Sequence, residues 1–299
     1  MKFVKILSLF LISVIFIRSH SLAQDVNSQE PIIIVASINP IYQILLAITE
    51  DKKNTILIIN PRFSEHGYQL KKSDAGFFSK ANLIFYIDDS LEINFYKLIK
   101  NFKAESHAYK LSSIEDLTIL QRRGRIKERD MHIWLNPENA IKIAQFMTLK
   151  ISELDPKNAK KYQKNLLKFQ NTTLKTIKII NKEALKIKDK KYIFYHDGYQ
   201  YFENYFAIKP VKVISYDHFH DLTLQDVREM DMIMDKGEVK CIFGEPQDEK
   251  NSAIKLSQNY RIKFSILDLI GSKENYGSKV DGYNTLLRNM ANDIVGCVL

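Results

Sequence analysis

Short runs of consecutive apolar residues alternate along the chain with longer stretches in which apolar residues recur every three or four positions. The short runs predict strands buried on both faces, as in a parallel sheet, and the longer stretches predict the helices that cover it. We therefore expect an α/β fold with two lobes, each a mainly parallel sheet flanked by helices. The predicted strands cover residues 32–35, 55–59, 83–87, 192–195, 211–215, 239–243 and 264–267.

The longest helical pattern lies between the two halves. Asp155-Pro156 has the form of an N-cap followed by a proline in the first turn, and apolar residues then recur in steps of three and four as far as Ile187. A helix over 156–187 extends about 45 Å, enough to run along both lobes and join them rigidly. The predicted domains are accordingly an N-terminal lobe over 24–155, this linker helix, and a C-terminal lobe over 188–299.

The first 23 residues are predicted to be a cleaved signal peptide. Lys2 and Lys5 precede an apolar run over 6–17, and Ser21-Leu22-Ala23 supplies small residues at the usual cleavage spacing. The run is short for a transmembrane helix, so we expect cleavage after Ala23 and a periplasmic protein.

Charge and composition narrow the class of protein. With 45% hydrophobic residues and only 10 Gly and 7 Pro, the chain is neither disordered nor collagenous. Removing the signal peptide removes three basic residues and lowers the net charge from +9 to +6, because 44 − 3 = 41 basic groups then face 35 acidic ones. No dense basic stripe is interleaved with aromatic residues, so we expect no nucleic-acid partner.

Cys241 and Cys297 are the only cysteines of the chain. An even number in an exported protein favours a disulfide bond, and the alternative is a pair of buried free thiols.

Candidate ligand residues lie near the ends of predicted strands. His196 directly follows the strand over 192–195, Asp268 directly follows the strand over 264–267, and His66 lies a few residues beyond the strand over 55–59. Groups at the carboxyl ends of parallel strands converge on one crevice. His132 precedes a helix that we expect Asn136 to cap. Three neutral imidazoles with one carboxylate form a ligand set suited to zinc.

Five ordered segments resemble the metal-binding solute-binding proteins of bacterial ABC importers, specifically the zinc-uptake (ZnuA-type) branch. The likeness covers nearly the whole mature chain. The segments are Ser64-Glu65-His66-Gly67-Tyr68-Gln69-Leu70, Met131-His132-Ile133-Trp134-Leu135-Asn136-Pro137, Tyr195-His196-Asp197-Gly198-Tyr199, Phe243-Gly244-Glu245-Pro246-Gln247 and Leu267-Asp268-Leu269-Ile270-Gly271.

The resemblance implies a monomeric periplasmic receptor, not an enzyme, that captures zinc in the cleft between its lobes and delivers it to a membrane permease. It implies as ligands His66, His132 and His196, with Asp268 or Glu65 as the fourth. It also implies a disulfide between Cys241 and Cys297, as in some zinc-type members. Manganese-type relatives tend to carry glutamate where this chain has His196, so the imidazole favours zinc.

Two alternatives stay open. One is a manganese or iron receptor with the same fold, and the other is a secreted zinc hydrolase, although the chain has no His-Glu-x-x-His helix. The sequence also departs from the family pattern. Leu269 replaces the proline usual after Asp268, and the loop over 121–130 lacks the histidines that zinc-type members often carry there. His218 and His220 are expected on a surface loop near the cleft.

Overall fold

The structure is a computed structural model of the 299-residue chain, in which Ile32–Leu299 form one compact unit. The predicted signal peptide and the pair His218 and His220 lie outside the described residues. In the part of the chain that is described, no helix is both long and apolar enough to cross a membrane. The structure describes residues 31–69, 71–124, 127–215, 223–248, 251–272 and 281–299.

A four-stranded parallel sheet forms the first half of the fold. Its strands are β1 (Ile34–Ala36), β2 (Thr55–Leu57), β3 (Leu83–Tyr86) and β4 (Ala108–Lys110), and they lie in the order β2-β1-β3-β4. Every pair is parallel, and the residues of β1 and β3 are all buried. The predicted double-sided burial of these strands is therefore confirmed. A short antiparallel hairpin, β5 (Leu120–Gln121) with β6 (Arg129–Asp130), follows this sheet.

The second half contains another four-stranded parallel sheet. Its strands are β7 (Lys191–His196), β8 (Lys212–Ser215), β9 (Val239–Gly244) and β10 (Lys263–Ile266), in the order β10-β9-β7-β8. Each adjacent pair is again parallel. The predicted α/β architecture of two parallel sheets is confirmed.

Helices connect the strands and cover both sheets. In chain order they are α1 (Asn39–Thr49), α2 (Lys72–Phe78), α3 (Ile93–Asn101), α4 (Pro137–Leu154), α5 (Ala159–Leu185), α6 (Gln200–Phe206), α7 (Leu224–Met234), α8 (Ser252–Tyr260) and α9 (Gly282–Val298). As predicted, Asn136 caps α4, and its side chain accepts hydrogen bonds from the amides of Glu138 and Asn139. Cap and proline together fix where α4 begins, directly after the segment that carries His132.

The long helix begins differently from the sequence-based expectation. Pro156 starts a single 3-10 turn over Pro156–Asn158, and the α-helix proper begins at Ala159 and extends about 40 Å. Asp155 does not cap the helix through its side chain, because its carboxylate accepts hydrogen bonds from the Tyr162 hydroxyl and the Asn158 side-chain amide instead.

Two helices tie the halves together. α5 packs against α1, α4, α6 and α9, and α9 packs against both α1 and the strands β9 and β10. A disulfide between Cys241 in β9 and Cys297 in α9 fastens the end of the chain to the second sheet. One apolar core cluster contains residues of both sheets, among them Phe85 and Phe243. The halves therefore share a core as well as a linker helix.

Candidate metal centre

Three histidines from separate segments of the chain meet at one place. His66 lies in the loop between β2 and α2, His132 follows β6, and His196 is the last residue of β7. His66 and His132 belong to the first half of the fold and His196 to the second. His196 ends the parallel strand β7, as the expectation for parallel strands requires, whereas His66 lies several residues beyond the end of β2 and His132 follows the antiparallel hairpin.

The three rings are close enough to share one ion. Their centroids are 5.7 Å apart for His66 and His132, 5.6 Å for His132 and His196, and 6.3 Å for His66 and His196. Among the described residues, one nitrogen from each ring forms a group in which all ligand atoms lie within 4.8 Å of one another. His132 and His196 are buried, whereas the His66 side chain is 25% exposed. His66 thus lies on the open side of the site.

A carboxylate holds His132 in place. The Asp130 Oδ1 atom lies 2.7 Å from the His132 Nδ1 atom and also accepts a hydrogen bond from the His132 backbone amide. An Nδ1–H group donated to a carboxylate leaves Nε2 as the atom that faces a ligand. Burial alone lowers the pKa of His132, but the carboxylates of Asp130 and Glu65 outweigh burial and raise it to about 10.

A second carboxylate holds His196. The His196 Nδ1 atom lies 2.6 Å from the Glu245 Oε1 atom, and both side chains are buried. Burial and the neighbouring His132 lower the pKa of His196 to about 3, so its imidazole is neutral. Gly198 leaves room for this ring, because a Cβ atom there would lie 3.1 Å from His196 Nδ1 and 2.7 Å from the Leu269 side chain.

Glu65 lies beside the imidazoles. It is buried, and its Oε1 atom is 3.5 Å from His132 Nε2 and 3.8 Å from His66 Nε2. A carboxylate oxygen at these distances can complete a tetrahedral set of ligands. Its negative charge also compensates a bound cation in a place from which water is largely excluded.

Asp268 is engaged in a turn. One carboxylate oxygen accepts a hydrogen bond from the Gly271 amide, and the other accepts from the amide and the hydroxyl of Ser272. The group of ligand atoms within 4.8 Å of one another consists of the three imidazoles and includes neither Asp268 nor Glu65. The assignment of Asp268 as a ligand stays a prediction.

Sequence reasoning assigned no role to Asp130 and Glu245, the two carboxylates that orient the rings. Asp130 is two residues from His132, so its proximity in sequence was a usable signal. Glu245 is separated from His196 by 49 residues, and only the pairing of β7 with β9 brings the two together. A histidine that binds a metal usually donates the hydrogen of its second ring nitrogen to a carboxylate, and this general rule was the one reason to expect both carboxylates.

The hairpin of β5 and β6 closes one side of the site. The Arg123 guanidinium contacts Asp197 at 2.9 Å and Glu203 at 2.5 Å, and the Tyr201 hydroxyl donates a hydrogen bond to the Asp130 carbonyl at 2.5 Å. These bonds fasten the hairpin of the first half to Asp197, which directly follows β7, and to α6 of the second. The burial of Asp197 raises its pKa to about 7, although the charge of Arg123 opposes the shift.

Comparisons with known proteins agree on one family of proteins. The profile of the family described as zinc-uptake complex component A, periplasmic (ZnuA), matches residues 34–297. The high-affinity zinc uptake system protein ZnuA of Brucella abortus is 26% identical, over 89% of this chain and 91% of that protein. The manganese ABC transporter substrate-binding lipoprotein PsaA of Streptococcus pneumoniae is 25% identical, over 95% of this chain and 94% of that one.

Solved structures show the same fold. A crystal structure of ZnuA aligns with this chain at a TM-score of 0.77 and 19% identity, covering 90% of this chain and 100% of that one. A deletion mutant of ZnuA with zinc bound aligns at a TM-score of 0.77 and 21% identity.

Proposed function

Because this chain belongs to the ZnuA family of ABC-transporter substrate-binding receptors, which are not enzymes, we propose that it captures zinc in the periplasm and delivers it to a membrane permease. The proposal rests mainly on one observation, the convergence of three imidazoles within 4.8 Å of one another. Two of these rings are buried and are aimed by carboxylates, so the ligand geometry exists before the ion arrives.

The proposed ligands are His66, His132, His196 and Glu65. Glu65 is preferred to Asp268 as the fourth ligand because its Oε1 atom lies within 3.8 Å of two ring nitrogens, whereas both Asp268 oxygens accept hydrogen bonds from the 271–272 turn. Three neutral nitrogens and one carboxylate leave a net charge of +1 on a bound divalent ion. A modest net charge of this kind suits reversible capture better than a set of thiolates.

Zinc is the proposed cargo because imidazole is a softer ligand than the oxygen ligands that manganese prefers. The likeness to a manganese receptor makes manganese the competing candidate. A competition titration does not separate them, because zinc binds most nitrogen and oxygen sites more tightly than manganese. The metal content of protein purified from its native compartment does: zinc is expected, and manganese would contradict the choice of zinc.

Alanine substitution tests the ligand assignment. His66→Ala, His132→Ala and His196→Ala should each lower zinc affinity by more than the roughly 10–100-fold that loss of an outer carboxylate costs, because each removes a bond to the ion. Zinc affinity is measured by competition against a chromogenic chelator on untagged protein. His107→Ala is the matched control, since His107 directly precedes β4 and so lies at the amino-terminal edge of the first sheet. Unchanged affinity in all three variants would reject the site.

Delivery to a permease is tested in cells. A strain that lacks this protein should stop growing when a chelator limits zinc, and the wild-type gene should restore growth. The His132→Ala gene should not restore it, even when the variant protein is folded and exported. Equal rescue by both genes would contradict a role in zinc delivery.

A further inference from the structure

The outward face of α5 carries a line of exposed leucines. Leu167, Leu174 and Leu185 are 60%, 50% and 73% exposed. With 3.6 residues per turn, positions 7 and 18 residues after Leu167 return to nearly the same side of the helix, so the three side chains follow one line about 27 Å long. Single exposed leucines are ordinary on protein surfaces, but an aligned set on one helix requires a cause.

Lysines accompany the leucine line. α5 contains seven lysines and one glutamate, a net charge of +6 on a chain whose total is +9. Five of these lysines are exposed, lie within roughly a quarter turn of the leucines by helix geometry, and form no ion pair with any residue that the structure describes; they are Lys160, Lys164, Lys175, Lys178 and Lys182. The leucines and these five lysines are named here the α5 outer face.

Rotation of α5 about its own axis cannot bury the leucines. Its opposite side is fixed in the core by Tyr162, Leu166, Phe169 and Ile180, and α5 packs there against α1, α4 and α9. The apolar side chains of the α5 outer face therefore stay in contact with solvent unless another body covers them.

We propose that the α5 outer face docks onto the surface of a membrane that contains anionic phospholipids. Lysine ammonium groups on long stems reach lipid phosphates while leucines beside them enter the boundary of the acyl chains. Anionic headgroups attract each such lysine independently, so the contributions of the five lysines add up to appreciable affinity. Docking in this way holds the receptor next to the membrane in which a permease would lie.

A protein partner fits the same face less well. The centres of protein interfaces are depleted of lysine and concentrate their apolar groups, with the charges at the rim. On the α5 outer face the lysines and leucines are instead interspersed along the whole length of the helix. A straight helix that carries leucines and lysines evenly along its length is better suited to a membrane, whose lipids move laterally.

Vesicle flotation tests the proposal with the untagged chain that begins at Gln24. Vesicles of phosphatidylcholine with about a third phosphatidylglycerol should bind the protein, neutral phosphatidylcholine vesicles should not, and raising the ionic strength to 0.5 M should release it. The triple variant Lys164→Glu, Lys175→Glu, Lys178→Glu and the double variant Leu167→Ser, Leu174→Ser should each reduce binding at least tenfold.

Matched controls carry the same chemical changes elsewhere. Lys52→Glu, Lys97→Glu and Lys236→Glu alter three exposed lysines outside α5, and Leu224→Ser alters a leucine that is 80% exposed on α7. Both controls should keep most of the binding. Thermal unfolding and zinc titration verify that every variant is folded, and Lys→Gln at the same three positions replaces the charge reversal if that variant is not.

Each outcome of the flotation assay either supports or overturns the proposal. Binding that is lost in both α5 variants and kept in the controls supports the proposal. Three results would overturn it: no binding of the wild type to anionic vesicles, equal losses in the α5 and control lysine variants, or an unchanged affinity after the leucine substitutions. Cross-linking of the α5 outer face to an acidic protein, without vesicle binding, would assign the face to a protein partner instead.

Discussion

Replacing Glu245 with glutamine tests whether the site is held ready by its outer carboxylates. The Glu245 Oε1 atom lies 2.6 Å from His196 Nδ1, and both side chains are at most 6% exposed. Glutamine keeps the size of the side chain but removes the negative charge, which weakens a charge-assisted hydrogen bond to a neutral one. It also makes the ring a weaker donor to a metal.

The expected effect follows from the role of such outer carboxylates. Their loss typically lowers metal affinity by about 10–100-fold, which corresponds to about 1.4–2.7 kcal/mol of binding free energy. Chelator competition at pH 7.5 measures zinc affinity, and urea unfolding of the metal-free protein measures whether the fold is intact. The proposed ligands stay in place in this variant, so the loss should be smaller than for His196→Ala.

Glu138→Gln provides the control. The Glu138 carboxylate accepts a hydrogen bond from Tyr205 on the surface and touches none of the three imidazoles in the described contacts. Its zinc affinity should equal that of the wild type. If Glu245→Gln changed zinc affinity by less than twofold while the fold stayed intact, the carboxylate would not be orienting a ligand and our reading of His196 would be refuted.

Three further predictions concern protons, the disulfide and the hairpin. Because the pKa of His132 is raised to about 10, zinc binding at pH 7 should release about one proton, which calorimetry in buffers of different ionisation enthalpy measures. Zinc affinity titrated at several pH values should rise about tenfold per pH unit between 6 and 8. Replacing Cys241 and Cys297 with alanine should destabilise the protein by up to about 4 kcal/mol, lowering the Tm by roughly 10 °C, since the disulfide closes a long loop. Arg123→Ala should destabilise the protein by about 1–3 kcal/mol in urea titrations, because it removes a hydrogen-bonding partner of the buried Asp197 and Glu203. The folded-state pKa of Asp197 lies above its unfolded value, so stability falls as pH rises from about 4 to 7, and without Arg123, which lowers this pKa, the fall should extend to higher pH.

Much of the fold is readable from the apolar pattern because parallel strands between helices are buried on both faces. The run at Leu83–Tyr86 is apolar at every position and forms β3, and the Asn136-Pro137 pair begins α4 as predicted. Where local signals compete, the prediction fails. Asp155 has the sequence of a helix cap, but the Tyr162 hydroxyl, about two turns later, donates a hydrogen bond to its carboxylate, and the segment directly after Asp155 is a 3-10 turn.

The sequence could predict that His66 and His196 lie close together because both follow predicted strands. The likeness to a family made the set of three histidines specific. Their partners could not be found in this way. The contact between His196 and Glu245 depends on the register of β7 and β9, which is a tertiary property. The path of α9 depends likewise on packing: it leaves the second half, lies against α1 and α5, and returns to β9 through Cys297. The division into domains at 24–155, 156–187 and 188–299 stays a prediction.

A crystal structure of the zinc-loaded protein, with anomalous scattering recorded on both sides of the zinc absorption edge, examines the proposed capture most directly. We expect one strong peak about 2.0–2.1 Å from a nitrogen of each of His66, His132 and His196, with a Glu65 oxygen at about 2.0–2.2 Å as the fourth ligand. A zinc peak elsewhere, or imidazoles turned away from one another with no peak between them, would contradict the account.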